Sequence, residues 1–118
     1  MQIGERVLVT GASGFVGSAV ALALIEAGMK VCVLTRATGS TRNLEGLDAE
    51  RVVGDMRDPA SMTQAMSGAR YLFHVAADYR LWAPDPGDIM RANVEGARVV
   101  MEAALAAGVE RIVYTSSV

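Results

Sequence analysis

The chain has 118 residues, of which 52% are hydrophobic and 20% are charged, and its formal net charge is -2. This composition predicts one compact folded domain, because an intrinsically disordered chain would contain far fewer apolar residues. The 13 acidic residues outnumber the 11 basic ones, and this balance argues against a nucleic-acid-binding protein.

Cysteine and histidine occur once each, as Cys32 and His74. A single cysteine cannot close an intrachain disulfide, and these two residues alone cannot form a zinc site. The first residues lack the basic start and long apolar stretch of a signal peptide, and no run of 18 apolar residues occurs. We therefore expect a protein of the cytoplasm, a reducing compartment, with no membrane span.

Short β-branched runs alternate with helical stretches along the chain. The runs predict strands, buried on both faces, at residues 6–10, 31–35, 51–53, 70–75 and 111–115. The stretches between them predict helices at residues 15–27, 59–66 and 88–107. Asp58 before Pro59 is typical of a helix start, and a glycine stands where each helix should end: Gly28, Gly68 and Gly108.

This alternation predicts an α/β fold of the Rossmann type, a doubly wound parallel sheet with its strands in the spatial order 3-2-1-4-5. We expect residues 1–118 to form a dinucleotide-binding domain, as the N-terminal part of a longer enzyme truncated before the sixth strand. Ligands bind at the carboxyl ends of the strands in such a sheet. Functional residues should therefore follow those ends.

A glycine-rich turn follows the first predicted strand: Thr10-Gly11-Ala12-Ser13-Gly14-Phe15-Val16-Gly17. Its first glycine would permit a tight turn, its second the approach of a pyrophosphate, and its third close packing of helix on strand. The helix N-terminus would then face the phosphates. Residues 11–17 are therefore candidate cofactor-binding residues; the alternative is a turn that needs glycine for geometry alone.

Four further segments lie at expected strand or helix ends: Gly54-Asp55-Met56-Arg57-Asp58, Phe73-His74-Val75-Ala76-Ala77, Asn93-Val94-Glu95-Gly96 and Tyr114-Thr115-Ser116-Ser117. With the Gly-x-x-Gly-x-x-Gly spacing of the turn, they resemble the extended short-chain dehydrogenase/reductases, the NAD-dependent epimerase/dehydratase superfamily. The loop at residues 77–86 is most similar to hopanoid-associated sugar epimerases, a subgroup similar to dihydroflavonol reductases. The resemblance is to the N-terminal part of these proteins.

The resemblance implies further cofactor-binding residues after the later strands: Asp55, Met56, Ala76, Ala77, Asn93 and Thr115. In the family the aspartate contacts the adenine amino group; its alternative role is to cap the turn that leads to Asp58. The two alanines are small where ribose and pyrophosphate would pass, and packing alone is their alternative role. We expect His74, the lone histidine, to be a hydrogen-bonded core residue.

Cofactor choice is expected to depend on the end of the second strand, where NAD-specific enzymes place an acid that binds the ribose hydroxyls. This chain has Leu34-Thr35-Arg36 there. Arg36 could form a charge-assisted pair with a 2′-phosphate, so we expect NADP, with NAD as the alternative if Arg36 is a solvated loop residue. Arg42 is a weaker candidate for the same phosphate.

Catalysis in the family uses a Ser or Thr after the fifth strand, a proton-transferring tyrosine, and a lysine four residues later that lowers the tyrosine pKa. By this resemblance Ser117 is the first catalytic candidate and Ser116 the second; the alternative is that these residues only end the strand. None of the three tyrosines has a lysine four residues later, because Lys30 is the only lysine. We therefore expect this chain alone to be inactive.

These features predict the NADP-binding portion of an oxidoreductase or a nucleotide-sugar epimerase/dehydratase, similar to dihydroflavonol reductases. Its expected substrate is a small molecule, either a sugar nucleotide or a hydroxy or carbonyl compound. The alternative is a non-catalytic Rossmann protein that senses NAD(P).

The third predicted helix has two apolar flanks beside a charged stripe. The first flank contains Ile89, Ala92, Gly96, Val99 and Ala103. The second flank contains Met90, Val94, Ala97, Met101 and Leu105. The stripe contains Arg91, Glu95, Arg98 and Glu102. A helix docked on a sheet needs only one apolar stripe, so we expect the second flank to face another element and to support a homodimer.

Overall fold

The computed structural model describes residues 3–12, 15–35, 46–55, 58–75 and 86–114, without the side chains of Phe15 and of residues 86–93. Within these ranges the elements are β1 (Arg6–Thr10), α1 (Phe15–Glu26), β2 (Lys30–Thr35), β3 (Glu50–Val53), α2 (Pro59–Met66), β4 (Tyr71–His74), α3 (Pro86–Ala107) and β5 (Arg111–Tyr114). Every predicted strand and helix is present, with its ends within two residues of the predicted positions.

The strands form one parallel sheet in the order β3-β2-β1-β4-β5, which confirms the predicted order. The register aligns the last residues of the central strands. Thr10 of β1 pairs with His74 of β4, and His74 pairs with Tyr114 of β5. The carboxyl ends of these strands therefore meet at one edge of the sheet.

The sheet lies between two helical layers. On one face the apolar side chains of the central strands pack against α1 in a cluster that includes Val7, Val9, Val33, Ala21 and Leu24. On the other face they pack against α2 and α3 in a cluster that includes Leu8, Leu72, Met62, Met66 and Val100. Alternation along each strand assigns successive residues to the two clusters, so both faces of β1 are apolar.

The prediction that all five strands are buried on both faces is wrong for the two edge strands. In β3 the side chains of Arg51 and Val53 are exposed, and every residue of β5 is exposed. An edge strand has a neighbour on one side only, and the described helices cover the centre of the sheet. A short β-branched run has the same composition in an edge strand as in a central strand, so the sequence pattern could not distinguish edge strands from central ones.

The helix boundaries agree with the signals in the sequence. Asp58 precedes α2 in an extended conformation, and its carboxylate accepts a hydrogen bond of 3.2 Å from the Ala60 N–H, as an N-cap residue does. The three glycines that predicted helix ends, Gly28, Gly68 and Gly108, follow the three helices within two residues. No helix in the described ranges is both long enough and apolar enough to cross a membrane.

Helix α3 buries one apolar flank and exposes part of the other. The described members of the first flank, Gly96, Val99 and Ala103, are buried. In the second flank Val94 is 63% exposed and Leu105 is 77% exposed. Ala97 and Met101 of the same flank are partly buried, so the described residues cover the second flank only in part.

Candidate functional site

The glycine turn joins the carboxyl end of β1 to the start of α1. Gly11 follows β1 directly with φ = 72°, a left-handed conformation that side chains rarely adopt. This reverses the chain sharply, and α1 begins at Phe15. The amino terminus of α1, which carries the positive end of the helix dipole, therefore lies at the same edge as the carboxyl end of β1.

Gly17 allows α1 to pack unusually close to the turn. A Cβ atom at this position would overlap the carbonyl oxygen of Gly11 and would lie 2.9 Å from the Cα atom of Ala12. Both contacts are with backbone atoms, which cannot rotate away as a flexible side chain could. This geometry agrees with the packing role expected of Gly17.

Among the other residues of the glycine turn, the structure describes the side chains of Ala12 and Val16. Ala12 is fully buried, and Val16, in the first turn of α1, is 51% exposed. Ser13 and Gly14 lie outside the described residues, as does the side chain of Phe15. Their contacts with a cofactor, like those of the whole turn, stay predictions.

The end of β3 forms a compact turn into α2. The Gly54 N–H donates to the carbonyl oxygen of Thr35 at 2.9 Å, and the Asp58 N–H donates to the carbonyl oxygen of Asp55 at 3.0 Å. Asp55 is half-buried, and its own N–H donates to Ser61 Oγ at 3.4 Å. Its backbone therefore takes part in the turn, while the carboxylate that caps α2 is that of Asp58.

A polar row crosses the sheet at the level of the glycine turn. We define it as Thr10, His74 and Tyr114, which pair in register on three neighbouring strands. Thr10 Oγ1 and His74 Nδ1 share a hydrogen bond of 2.7 Å. The Val75 N–H donates to Thr10 Oγ1 at 3.2 Å and to the Thr10 carbonyl oxygen at 3.3 Å. The rings of His74 and Tyr114 are 5.3 Å apart between centroids and inclined at 46°.

Burial keeps the imidazole of His74 neutral. Its residue is only 3% exposed, and burial lowers the pKa of the His74 side chain below its ordinary value. A neutral imidazole still needs hydrogen-bond partners in the core, and Thr10 provides one. The expectation that His74 is a hydrogen-bonded core residue is therefore confirmed.

Most of the remaining predicted site residues lie outside the described ranges. This applies to Arg36, Met56, Ala76, Ala77, Thr115, Ser116 and Ser117. Asn93 lies in α3, and its side chain is not described. In the sequence, Arg36 follows the last residue of β2 and Thr115 follows the last residue of β5. The described residues contain no group of side chains that could hold a metal ion.

Thr10 was not among the predicted functional residues, although it anchors the polar row. It is fully buried at the end of β1, directly after the apolar residues Val7, Leu8 and Val9. A hydroxyl residue at the end of one buried strand and a histidine at the end of another were the available signals. That the two pair with each other depends on the register of β1 and β4, which local sequence patterns do not determine.

The sequence matches the model of the NAD dependent epimerase/dehydratase family over residues 7–118. Dihydroflavonol 4-reductase from Zea mays is 39% identical over 121 residues, and the match covers 94% of this chain and 34% of that protein. This chain thus spans about a third of the length of the curated relatives it matches.

Comparison with solved structures of the same fold supports the same family. The crystal structure of gox2253 is 55% identical with a TM-score of 0.90, and the match covers 97% of this chain and 34% of that chain. A short-chain dehydrogenase/reductase superfamily protein from Agrobacterium tumefaciens, solved with bound NAD, is 37% identical with a TM-score of 0.78. That match covers 96% of this chain and 33% of the other. The resemblance found in the motifs is thereby confirmed: this chain belongs to the NAD dependent epimerase/dehydratase family.

Proposed function

We propose that this chain is the NADP-binding portion of an oxidoreductase or nucleotide-sugar epimerase/dehydratase similar to dihydroflavonol reductases. The observation that carries the proposal is the turn between β1 and α1. Gly11 has a left-handed backbone, and Gly17 leaves no room for a Cβ atom. Together they bring a helix N-terminus to the carboxyl edge of the central strand, where a pyrophosphate binds in this fold.

When bound, the nicotinamide group would donate or accept a hydride. The residues of this chain would bind and orient the nucleotide. The turn would hold the pyrophosphate, and Asp55, which is half-buried after β3, would contact the adenine amino group. Ala76 and Ala77 follow β4, where small side chains leave space for the ribose. The substrate would be a small molecule, either a sugar nucleotide or a hydroxy or carbonyl compound.

Preference for NADP over NAD depends on Arg36 in this proposal. A charge-assisted hydrogen bond to the 2′-phosphate contributes about 1.5 to 3 kcal/mol, which corresponds to roughly 10- to 150-fold in affinity. We expect NADPH to bind the chain more tightly than NADH by a factor in this range, measured by fluorescence titration. Arg36→Ala should remove the preference and leave NADH affinity unchanged.

The matched control for Arg36→Ala is Arg111→Ala. Arg111 is the exposed first residue of β5, at the amino end of that strand, whereas Arg36 comes after β2 in the sequence. Its substitution removes the same charge from the chain without affecting the expected phosphate site. Equal affinities for the two nucleotides, or equal effects of the two substitutions, would contradict the assignment of Arg36.

Ser117, with Ser116 as the second candidate, would hydrogen-bond the reacting oxygen of the substrate. The tyrosine and lysine of the family pattern would then come from a part of the enzyme outside this chain, since Lys30 is the only lysine here. We expect the 118-residue chain to bind nucleotide without hydride transfer. Hydride transfer by this chain would contradict that expectation, whereas nucleotide binding without turnover by the whole protein would favour the sensing alternative.

The second flank of α3 supports self-association in this proposal. Val94 and Leu105 are exposed apolar side chains on one side of the helix, beside the ion pair of Glu95 and Arg98. Sedimentation should detect a homodimer, and Leu105→Gln should weaken it. Ile3→Gln is the matched control, because Ile3 is 82% exposed and lies outside α3. A chain that stays monomeric at high concentration would contradict the homodimer.

The proposed compartment is the cytoplasm. Cys32 is a buried free thiol in β2, and burial raises its pKa, so it persists as an unreactive thiol in a reducing compartment. Cell fractionation of the whole protein tests this assignment, and recovery from an oxidising compartment would contradict it.

A further inference from the structure

The polar row occupies a place in the sheet where an apolar side chain would be expected. Thr10 and His74 lie on the same face as Leu8 and Leu72, two residues earlier in their strands, and that face packs against α2 and α3. Both residues are buried, with Thr10 fully inaccessible and His74 3% exposed. Burying a polar side chain is costly, and the hydrogen bond between them offsets that cost only while its geometry is kept. Their separation is therefore tightly constrained.

The two ends of the row lead to the two parts of the proposed site. Thr10 is followed directly by Gly11, where the nucleotide turn begins. Tyr114 is followed by Thr115, Ser116 and Ser117, which contain the candidate catalytic hydroxyls. His74 stands between them and contacts both, by a hydrogen bond of 2.7 Å on one side and by ring packing at 5.3 Å on the other.

The two contacts of His74 differ in kind. The hydrogen bond to Thr10 is directional and fixes a distance between atoms, whereas the ring contact with Tyr114 limits the approach and tilt of two flat groups. Tyr114 belongs to an edge strand and is 50% exposed, whereas Thr10 belongs to the central strand and is fully buried. The position of β5 at its carboxyl end therefore depends on His74 more than that of β1 does.

We propose that His74 is a positioning residue that sets the distance between the end of β1, through Thr10, and the end of β5, through Tyr114. In the sequence the nucleotide turn follows the first of these ends and the candidate serines follow the second. This inference rests on the proposed function, because the distance matters only if nucleotide and substrate are held at these two places. His74 itself acts through its neighbours and need not contact either ligand.

The two contacts can be removed separately. His74→Phe keeps a ring beside Tyr114 but removes the nitrogen that bonds Thr10. His74→Asn keeps a polar atom at the position of Nδ1 but removes the ring. His74→Phe should weaken NADPH binding about tenfold. In NMR spectra of the isotopically labelled chain, it should also shift the amide resonances of Gly11 and Ala12. His74→Asn should leave the affinity near its original value and shift the amide resonances of Ser116 and Ser117.

Tyr71→Phe is the matched control. It removes a buried polar group from the same strand, β4, but at the amino end, away from the polar row. We expect it to leave NADPH affinity and both sets of resonances unchanged. A purely structural role for His74 would make both His74 variants lower stability and disturb both sets together.

The outcomes separate this inference from the proposed function. If the unsubstituted chain binds NADPH and both His74 variants bind it equally well with unchanged resonances, the inference is overturned and the proposed function stands. If the folded chain does not bind NADPH, the proposed function fails, and the inference fails with it. Unfolding of both His74 variants would show that His74 acts through stability alone, and would also overturn the inference.

Discussion

The strands are joined in different ways at their amino ends, which form the amino edge of the sheet, and at their carboxyl ends, which form the carboxyl edge. At the amino edge Arg6 pairs with Glu50 at 2.6 Å, and Arg70 pairs with Glu110 at 2.6 Å. The Arg70 and Glu110 side chains are 53% and 51% exposed. At the carboxyl edge, the central strands are joined instead by the hydrogen bond between Thr10 and His74, which are buried and uncharged at neutral pH.

This difference indicates where the sequence tolerates change. Exposed ion pairs are screened by water and salt, and most contribute little to stability. A buried polar pair and a backbone contact without room for a Cβ atom tolerate almost no change, because a lost partner or an overlap cannot be relieved by solvent. The carboxyl edge, which has the stricter geometry, is the one at which we propose that the nucleotide binds.

The largest effect is expected from Gly17→Ala. The added Cβ atom would overlap the Gly11 carbonyl, so α1 must move away from β1, and we expect a loss of roughly 3 kcal/mol in the free energy of unfolding. Nucleotide binding should be lost as well. Urea denaturation and NADPH titration measure the two effects.

Gly96→Ala is the matched control for this substitution. Gly96 also lies inside a helix, but an added Cβ atom would meet no atom of the described residues within 4 Å. The higher helix propensity of alanine should make this variant more stable by up to about 1 kcal/mol. If both substitutions had the same effect, the turn would not be the constrained contact that the comparison of the two edges requires.

The next effect is expected from Thr10→Val, which removes the hydroxyl from the polar row. The Val75 N–H would keep its bond to the Thr10 carbonyl oxygen, but His74 Nδ1 would remain buried without this partner. We expect a loss of about 2 kcal/mol in the free energy of unfolding.

Thr63→Val is the control. The Thr63 hydroxyl donates to the Pro59 carbonyl oxygen on the exposed surface of α2, and loss of this bond should cost about 0.5 kcal/mol or less. If Thr10→Val and Thr63→Val lost the same free energy of unfolding, burial of the Thr10–His74 pair would be unimportant for stability.

A third effect is expected from pH. The pKa of His74 is lowered by burial, so below about pH 6.5 the unfolded chain binds a proton that the folded chain does not. Stability should therefore be unaffected by His74 above this pH and fall as the pH decreases, by at most about 1.4 kcal/mol per pH unit. The His74→Asn variant has no imidazole to protonate, so its stability should not show this loss at low pH. The difference in free energy of unfolding between the variant and the unsubstituted chain should therefore become smaller between pH 7.5 and pH 5. A constant difference would contradict a neutral, buried His74.

Much of the fold follows from local patterns in the sequence. The β-branched runs, the Asp58-Pro59 helix start and the glycine turn predicted the elements, because each depends on residues close together in the chain. The order 3-2-1-4-5 was predicted from the alternation of strands and helices, which is typical of the Rossmann fold. The exposure of β3 and β5 was not predicted, since edge and central strands differ in their neighbours rather than in their composition.

The candidate site was predictable in part. Gly11 and Gly17 could be assigned from their spacing, because the backbone conformation and close packing that they permit are local properties. The pairing of Thr10 with His74 joins residues 64 positions apart and depends on how β1 and β4 align. Neither residue type indicates this alignment by itself, so only the three-dimensional arrangement identified the polar row.

The smallest effect is expected at the amino edge, from Arg70→Gln. Arg70 lies 2.6 Å from Glu110 and 3.2 Å from Glu5, but its side chain is half-exposed, so water replaces most of what the substitution removes. The midpoint of thermal unfolding should decrease slightly at low salt and scarcely at all in about 0.5 M NaCl, where exposed charges are screened. Arg98→Gln, which removes the exposed pair with Glu95 on α3, should behave in the same way. A decrease for Arg70→Gln that persists in salt and exceeds the decrease for Thr10→Val would reverse the comparison, because the amino edge would then be the more constrained of the two.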